Sequence, residues 1–111
     1  MIAVREINQV ALLDLPGIIE ADKIKERLSG LIQGGHRQFA INLSSINFVD
    51  SMGLGALVTI FRYSEEQRLD LVFYEAKAYL LKMLGVTRLD KVLKIYPNES
   101  EALQTLAGTA T

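Results

Sequence analysis

Apolar positions divide the chain into alternating strand and helix patterns. "IAVREI" (residues 2–7) and "VALLDL" (10–15) are short β-type runs on either side of Asn8 and Gln9, which predicts an opening hairpin without the usual turn glycine. In "EADKIKERLSGLIQGG" (20–35) Ile24, Leu28, Leu31 and Ile32 recur at helical spacing, and Gly34 and Gly35 end the pattern, so a first helix is expected there. "QFAINL" (38–43) reads as a strand buried on both faces. In "SMGLGALVTIFRYSEEQR" (51–68) Leu54, Leu57, Val58 and Phe61 form the apolar stripe of a second helix.

"LDLVFY" (69–74) predicts another strand, "KAYLLKML" (77–84) a short helix stopped by Gly85, and "KVLKIY" (91–96) a last strand ended by Pro97. Asn98 and Glu101 have capping-box spacing and open a final helix over "SEALQTL" (100–106). The order β-β-α-β-α-β-α-β-α predicts an α/β fold: a mixed, mainly parallel sheet with an N-terminal hairpin and about four helices, since parallel neighbours need a crossover. Residues 1–107 form the expected single domain, with Leu43, Val49, Leu57, Phe61, Leu71 and Phe73 in its core, and 108–111 a flexible tail.

Composition removes several function classes. The 111 residues are 50% hydrophobic, which is enough for one core without disulfide staples. Lys plus Arg number 12 against 13 for Asp plus Glu, so no basic field exists to hold a nucleic-acid backbone, and no direct nucleic-acid partner is expected. There is no cysteine and one histidine, His36; disulfides and thiolate sites are excluded, and no metal site or cofactor is expected. The first fifteen residues lack the plan of a signal peptide, and Asn42, Ser44, Ser45, Asn47 and Ser51 interrupt the weakly charged stretch from Phe39 to Phe61, so membrane insertion is not expected and a cytoplasmic location is.

The chemistry concentrates in "FVDSMGLGALV" (48–58). In an α/β unit the strand-to-helix turns share the carboxyl edge of the sheet, which puts Ser51 at that edge and His36, in the turn before "QFAINL", at the other. A strand about 20 Å long separates them, so His36 cannot serve as a base for Ser51, and Val49 stands where a nucleophile-elbow glycine would be needed. A small hydrolase using Ser51 is therefore disfavoured. Val58 occupies the third position of a dinucleotide-type glycine motif, and no phosphate-binding G-x-x-x-x-G-K-[ST] occurs. Gly53 and Gly55 then read as close-packing positions against a neighbouring strand. The turn "DLPGIIEAD" (14–22) reaches the same edge and brings Glu20 and Asp22 near Asp50 and Ser51, an acidic surface with a hydroxyl at its centre. Asp50 reads equally well as a helix cap and Ser51 as a tolerated first-turn residue.

"INLSSINFVDSMGLGAL" (41–57) resembles the signature of the STAS domain, the family of sulfate transporters and anti-sigma-factor antagonists, through Asp50, Ser51, Gly53, Leu54 and Gly55. "LPGIIEADKIKERL" around Gly17 and "LLKMLGVTRLDKVLKIYPNESEAL" extend the similarity over nearly the whole chain. The resemblance implies a STAS-like fold and a non-enzymatic anti-sigma-factor antagonist. It implies that Ser51 is phosphorylated by a partner that is both anti-sigma factor and serine kinase, restored by a serine phosphatase, and surrounded by a partner-binding set of Glu20, Asp22, Asp50, Met52 and Gly53. Met52 stands where several relatives have a second hydroxyl, and Asn42 where the family often has aspartate. The alternative is a STAS scaffold that only docks within a larger assembly, such as a stressosome or a lipid-transport complex.

Overall fold

Strand order in space repeats strand order in sequence. A computed structural model describes residues 1–109, in which β1 (Ala3–Ile7), β2 (Val10–Asp14), β3 (Gln38–Asn42), β4 (Asp70–Tyr74) and β5 (Ile95–Tyr96) form one sheet in the order β1-β2-β3-β4-β5. β1 runs antiparallel to β2, and every other pair is parallel. The hairpin turn is made by Asn8 (φ 51°) and Gln9 (φ 71°), both left-handed, the backbone pairing that matches the twist of the flanking strands. Two side-chain-bearing residues thus do what glycine usually does.

The helices are α1 (Ala21–Gln33), α2 (Ser51–Glu66), α3 (Ala78–Val86) and α4 (Glu99–Thr109). Because each crossover steps in the same direction, the right-handed rule sends α1, α2 and α3 to one face. Period-two alternation then sorts the strand residues. Ala11, Leu13, Phe39, Ile41, Leu71 and Phe73 join the core beneath these helices, while Val10, Leu12, Ala40, Val72 and Tyr74 meet Ala102 and Leu106 of α4 on the opposite face. Asn98 caps α4 by accepting the Glu101 amide at 2.9 Å, and its own amide group donates to Glu101 at 3.3 Å.

Three expectations are corrected. In α2 the fully buried stripe runs through Gly53, Leu57, Ile60 and Ser64, and Val58 and Phe61 are only half-buried, because the helix turns its Ile60 side to the sheet; the other five expected core residues are buried. Ser64 is satisfied by donating to the Phe61 carbonyl at 2.6 Å. α3 continues through Gly85 and ends at Thr87, whose hydroxyl donates to the Met83 carbonyl at 2.8 Å, with Arg88 left-handed (φ 60°) beyond it. An exposed helical glycine costs only about 1 kcal/mol against alanine, too little to end the helix. "KVLKIY" contributes just two strand residues, Ile95 and Tyr96, paired with Phe73 and Tyr74; before them Leu89–Lys91 forms a 3-10 turn and Leu93 drops into the core. α4 runs through Gly108 to Thr109, and the last two residues of the tail expected at 108–111 lie outside the described residues.

One polar cluster joins the edge hairpin to α4. Arg5 donates to Asp14 from Nε (2.7 Å) and Nη2 (2.8 Å), and Nη2 also donates to Glu99 (2.8 Å) and to the Tyr74 hydroxyl (3.1 Å). Tyr74 in turn donates to Glu99 at 2.9 Å. The Arg5 guanidinium holds both carboxyl groups below their usual range, with Asn42 helping at Asp14 and Tyr74 at Glu99, while burial and Glu99 push the Tyr74 phenol up.

Leu57→Ala should destabilise the domain by about 2–5 kcal/mol in urea unfolding, since Leu57 is fully buried. Asp14 and Glu99 titrate lower in the folded state than in the unfolded chain, so their contribution is present above the ordinary carboxylate range and is lost as pH falls through the lowered values. Arg5→Gln should therefore lower the melting temperature at neutral pH, and its difference from wild type should shrink progressively on acidification.

Candidate functional site

The loop from residue 43 to 50 is long but pinned. Leu43, Ile46 and Val49 are buried at every third position, and the Leu43 amide donates to the Tyr74 carbonyl at 3.0 Å, extending the β3–β4 pairing by one bond. Asn42 works in both directions: its Nδ2 donates to Asp14 at 2.8 Å and its Oδ1 accepts the Ser44 amide at 2.9 Å. An aspartate there could accept from Ser44 but would set a second carboxylate against Asp14. The residue that departs from the STAS pattern thus fits both of its neighbours, where a carboxylate would fit one.

The loop delivers Asp50 as the N-cap of α2, in extended geometry (φ −103°, ψ −176°), with its carboxylate accepting the Gly53 amide at 2.9 Å. Ser51 follows as the first helical residue, exposed, and among the described residues its side chain makes no hydrogen bond. Gly53 is required sterically, because a Cβ there would lie 2.6 Å from Val49 Cγ2. The close approach is to the preceding loop, where a neighbouring strand was expected. Gly55 has open space within 4 Å, so the close-packing reading does not apply to it.

Two turns, β2–α1 and β3–α2, enclose a groove of about 270 Å³ beside Ser51. Glu20 lines one wall, and Asp50, Met52 and Gly53 the other. Asp22 lies in the first turn of α1, outside this lining, and Glu20 pairs with Lys23 at 3.3 Å. Acidity is therefore only part of the surface. Ile18, Phe48 and Met52, respectively 63%, 67% and 81% exposed, give this groove an apolar rim that sequence reasoning did not find for Ile18 and Phe48. Their signal was available: neither lies on a strand or helix stripe that a core would claim. Phe48 also stacks on Tyr79, with ring centroids 5.3 Å apart and 18° between planes, and Lys77 donates to Asn47 at 3.1 Å, which carries the surface onto the start of α3.

His36 sits in the α1–β3 turn, at the far end of β3 from Ser51, where its Nε2 lies 2.8 Å from Glu6 Oε1. A base for Ser51 is absent from that position's reach, as the strand alone spans about 17 Å. Among the described residues no helix is long and apolar enough to cross a membrane.

The family model described as the STAS domain matches residues 2–102. A Thermotoga neapolitana protein named as an anti-sigma factor antagonist homolog is 28% identical over 74 residues, which are 67% of this chain and 66% of that protein, slightly less than two thirds of the relative's own length. Among solved structures, the anti-sigma factor antagonist SpoIIAA in its unphosphorylated form superposes with a TM-score of 0.73 at 18% identity, covering 97% of both chains. A chain of the stressosome, a signal integration and transduction hub, superposes at 0.80 with 21% identity, covering 97% of this chain and 98% of its own. At these identities the two structures show a shared fold.

The two glycines should respond oppositely to alanine. Gly53→Ala should destabilise the domain by about 1–3 kcal/mol, because Val49 must move to admit the methyl group. Gly55→Ala should stabilise it by roughly 0.5–1 kcal/mol, the helix-propensity gain at an open position, and denaturant unfolding of both variants checks the pair.

Proposed function

The chain belongs to the STAS domain family, and on that footing we propose that it is an anti-sigma-factor antagonist switched by phosphorylation of Ser51. In this reading the unphosphorylated protein binds an anti-sigma factor that is also a serine kinase, the phosphorylated protein releases it, and a serine phosphatase resets the hydroxyl. The chain is then a cytoplasmic kinase substrate and binding switch with no catalysis of its own. The observation that carries it is the placement of Ser51: an exposed hydroxyl on the first turn of α2, without a hydrogen bond among the described residues, between Asp50 and Met52, which line a groove together with Ile18 and Phe48. With Met52 following it, Ser51 is the only hydroxyl in that turn.

The electrostatics favour a switch of binding over a switch of fold. A phosphate on Ser51 would meet first-turn amides and the positive end of the helix dipole, a gain of about 0.3–1 kcal/mol at an exposed site. The Asp50 carboxylate beside it, screened by water and salt, opposes that gain by a similar amount. Across an interface the balance differs. About −1.5 to −2 charges would have to be desolvated beside a groove whose exposed rim is apolar. In this reading Glu20, Asp22, Asp50, Met52 and Gly53 belong to the partner-binding surface, with the exposed Met52 as its apolar anchor.

A docking role within a larger assembly is the second reading, and the likeness to the stressosome chain is what favours it. The two separate on one experiment. With cognate kinase and ATP, one phosphate should enter the protein, and Ser51→Ala should abolish incorporation while partner binding persists. On the same phosphorylated sample, affinity for the kinase should fall about a hundredfold or more, and the melting temperature should move little. Stable binding indifferent to ATP would mark the docking role, and phosphate on Thr59 or Ser64 would overturn the assignment of Ser51.

A further inference from the structure

β1 is the strand that no crossover helix covers. α1 bridges β2 to β3 and lies over that pair, so the helix side of β1 is left open, with Val4 and, just before the strand, Ile2 half-buried there. Between this ledge and α1 runs a groove of about 510 Å³, with Ile2, Leu15, Ile24 and Leu31 in its lining. Its α1 wall is charged. Glu20 and Lys23 neutralise each other at 3.3 Å, but Glu26 and Arg27, adjacent and opposite in sign, have no ion pair or hydrogen bond among the described residues. One turn further, Gly30 presents bare backbone, since a Cβ there would meet nothing within 4 Å. A glycine inside a helix costs about 0.5–1 kcal/mol against alanine, and no contact among the described residues asks for it.

We propose that this groove is the interface of a symmetric homodimer, in which the α1 helices of two copies lie antiparallel across each other. The charge pattern selects the occupant. A purely anionic ligand would meet Glu26 and a purely cationic one Arg27, so the matching surface must carry both charges in reversed order. A second copy turned about a two-fold axis does so, because isologous contacts are reciprocal. Glu26 then faces the partner subunit's Arg27, and Arg27 faces the partner subunit's Glu26. The same register lays Lys23 across the partner subunit's Gly30, where the missing side chain leaves room for the lysine stem. Each α1 also roofs the apolar ledge that the other subunit's hairpin leaves open. The inference is independent of any modification of Ser51, although Ile18 and Glu20 line both this groove and the smaller one beside Ser51.

Charge reversal tests the arrangement on the full chain. Sedimentation equilibrium over a concentration series should show a monomer–dimer equilibrium for the wild type. E26R and R27E should each raise the dissociation constant about tenfold or more, because one substitution places like charges at two symmetric contacts. The E26R/R27E double variant should restore dimerisation. Mixing the two single variants should give a one-to-one heterodimer, since one partner then carries two arginines and the other two glutamates. Circular dichroism should stay unchanged throughout, all four charged wall positions being at the surface. A wild type that stays monomeric at every concentration, a dimer insensitive to both reversals, or a monomer that takes up a fatty-acid probe in this groove would overturn the proposal.

Discussion

A sheet that is apolar on both faces must be covered twice, and that constraint organises the molecule. β3 and β4 are buried above and below, yet crossovers that all step one way can supply helices to one face only. α4 has to supply the second layer, so the chain must turn at Pro97 and Asn98 and return beneath the sheet. The Arg5 cluster stands where that return begins, holding the first turn of α4 to the hairpin through Glu99. The hairpin, the last helix and the carboxyl edge between them are therefore fixed together.

A continuous hydrogen-bonded path follows from this arrangement. It runs from Glu99 through Arg5 and Asp14 to Asn42, and from Asn42 to the backbone of Ser44, at the start of the loop that leads to Ser51. An amide donates toward Asp14 and accepts from Ser44 at once, which a carboxylate does not, so the position where the STAS pattern favours an acid is occupied here by a side chain that completes the path. The cap at Asp50 closes the loop from its other end.

Much of this was legible in the sequence because long apolar stripes have few alternative explanations. The hairpin, the three parallel crossovers and the cap at Asn98 all follow from periodicity and turn chemistry. What escaped depended on neighbours. Helical spacing alone cannot say whether Ile60 or Phe61 faces inward, since the choice is set by where α2 rests on the sheet. Gly85 has the appearance of a stop, but the stop is made by the Thr87 hydroxyl and the left-handed Arg88. Gly53 and Gly55 look equivalent in the motif, and only the position of Val49 separates a required glycine from a permitted one. The apolar rim was hidden for a similar reason: Ile18 and Phe48 are far apart in sequence and line one groove because two turns share an edge.

The Val49–Gly53 contact has a thermodynamic meaning for anything that docks at this edge. With Val49 buried, Gly53 leaving no room for a Cβ beside it and Asp50 capping the helix, the loop and the first turn of α2 are packed and hydrogen-bonded to one another before any encounter. Ordering a rotamer-rich side chain on association costs about 0.5–1.5 kcal/mol, and here that cost is confined chiefly to the projecting Met52 and Ile18. The surface is preorganised: a binder would spend little of its free energy on removing disorder from this protein, and discrimination would rest on the chemistry of the few atoms presented.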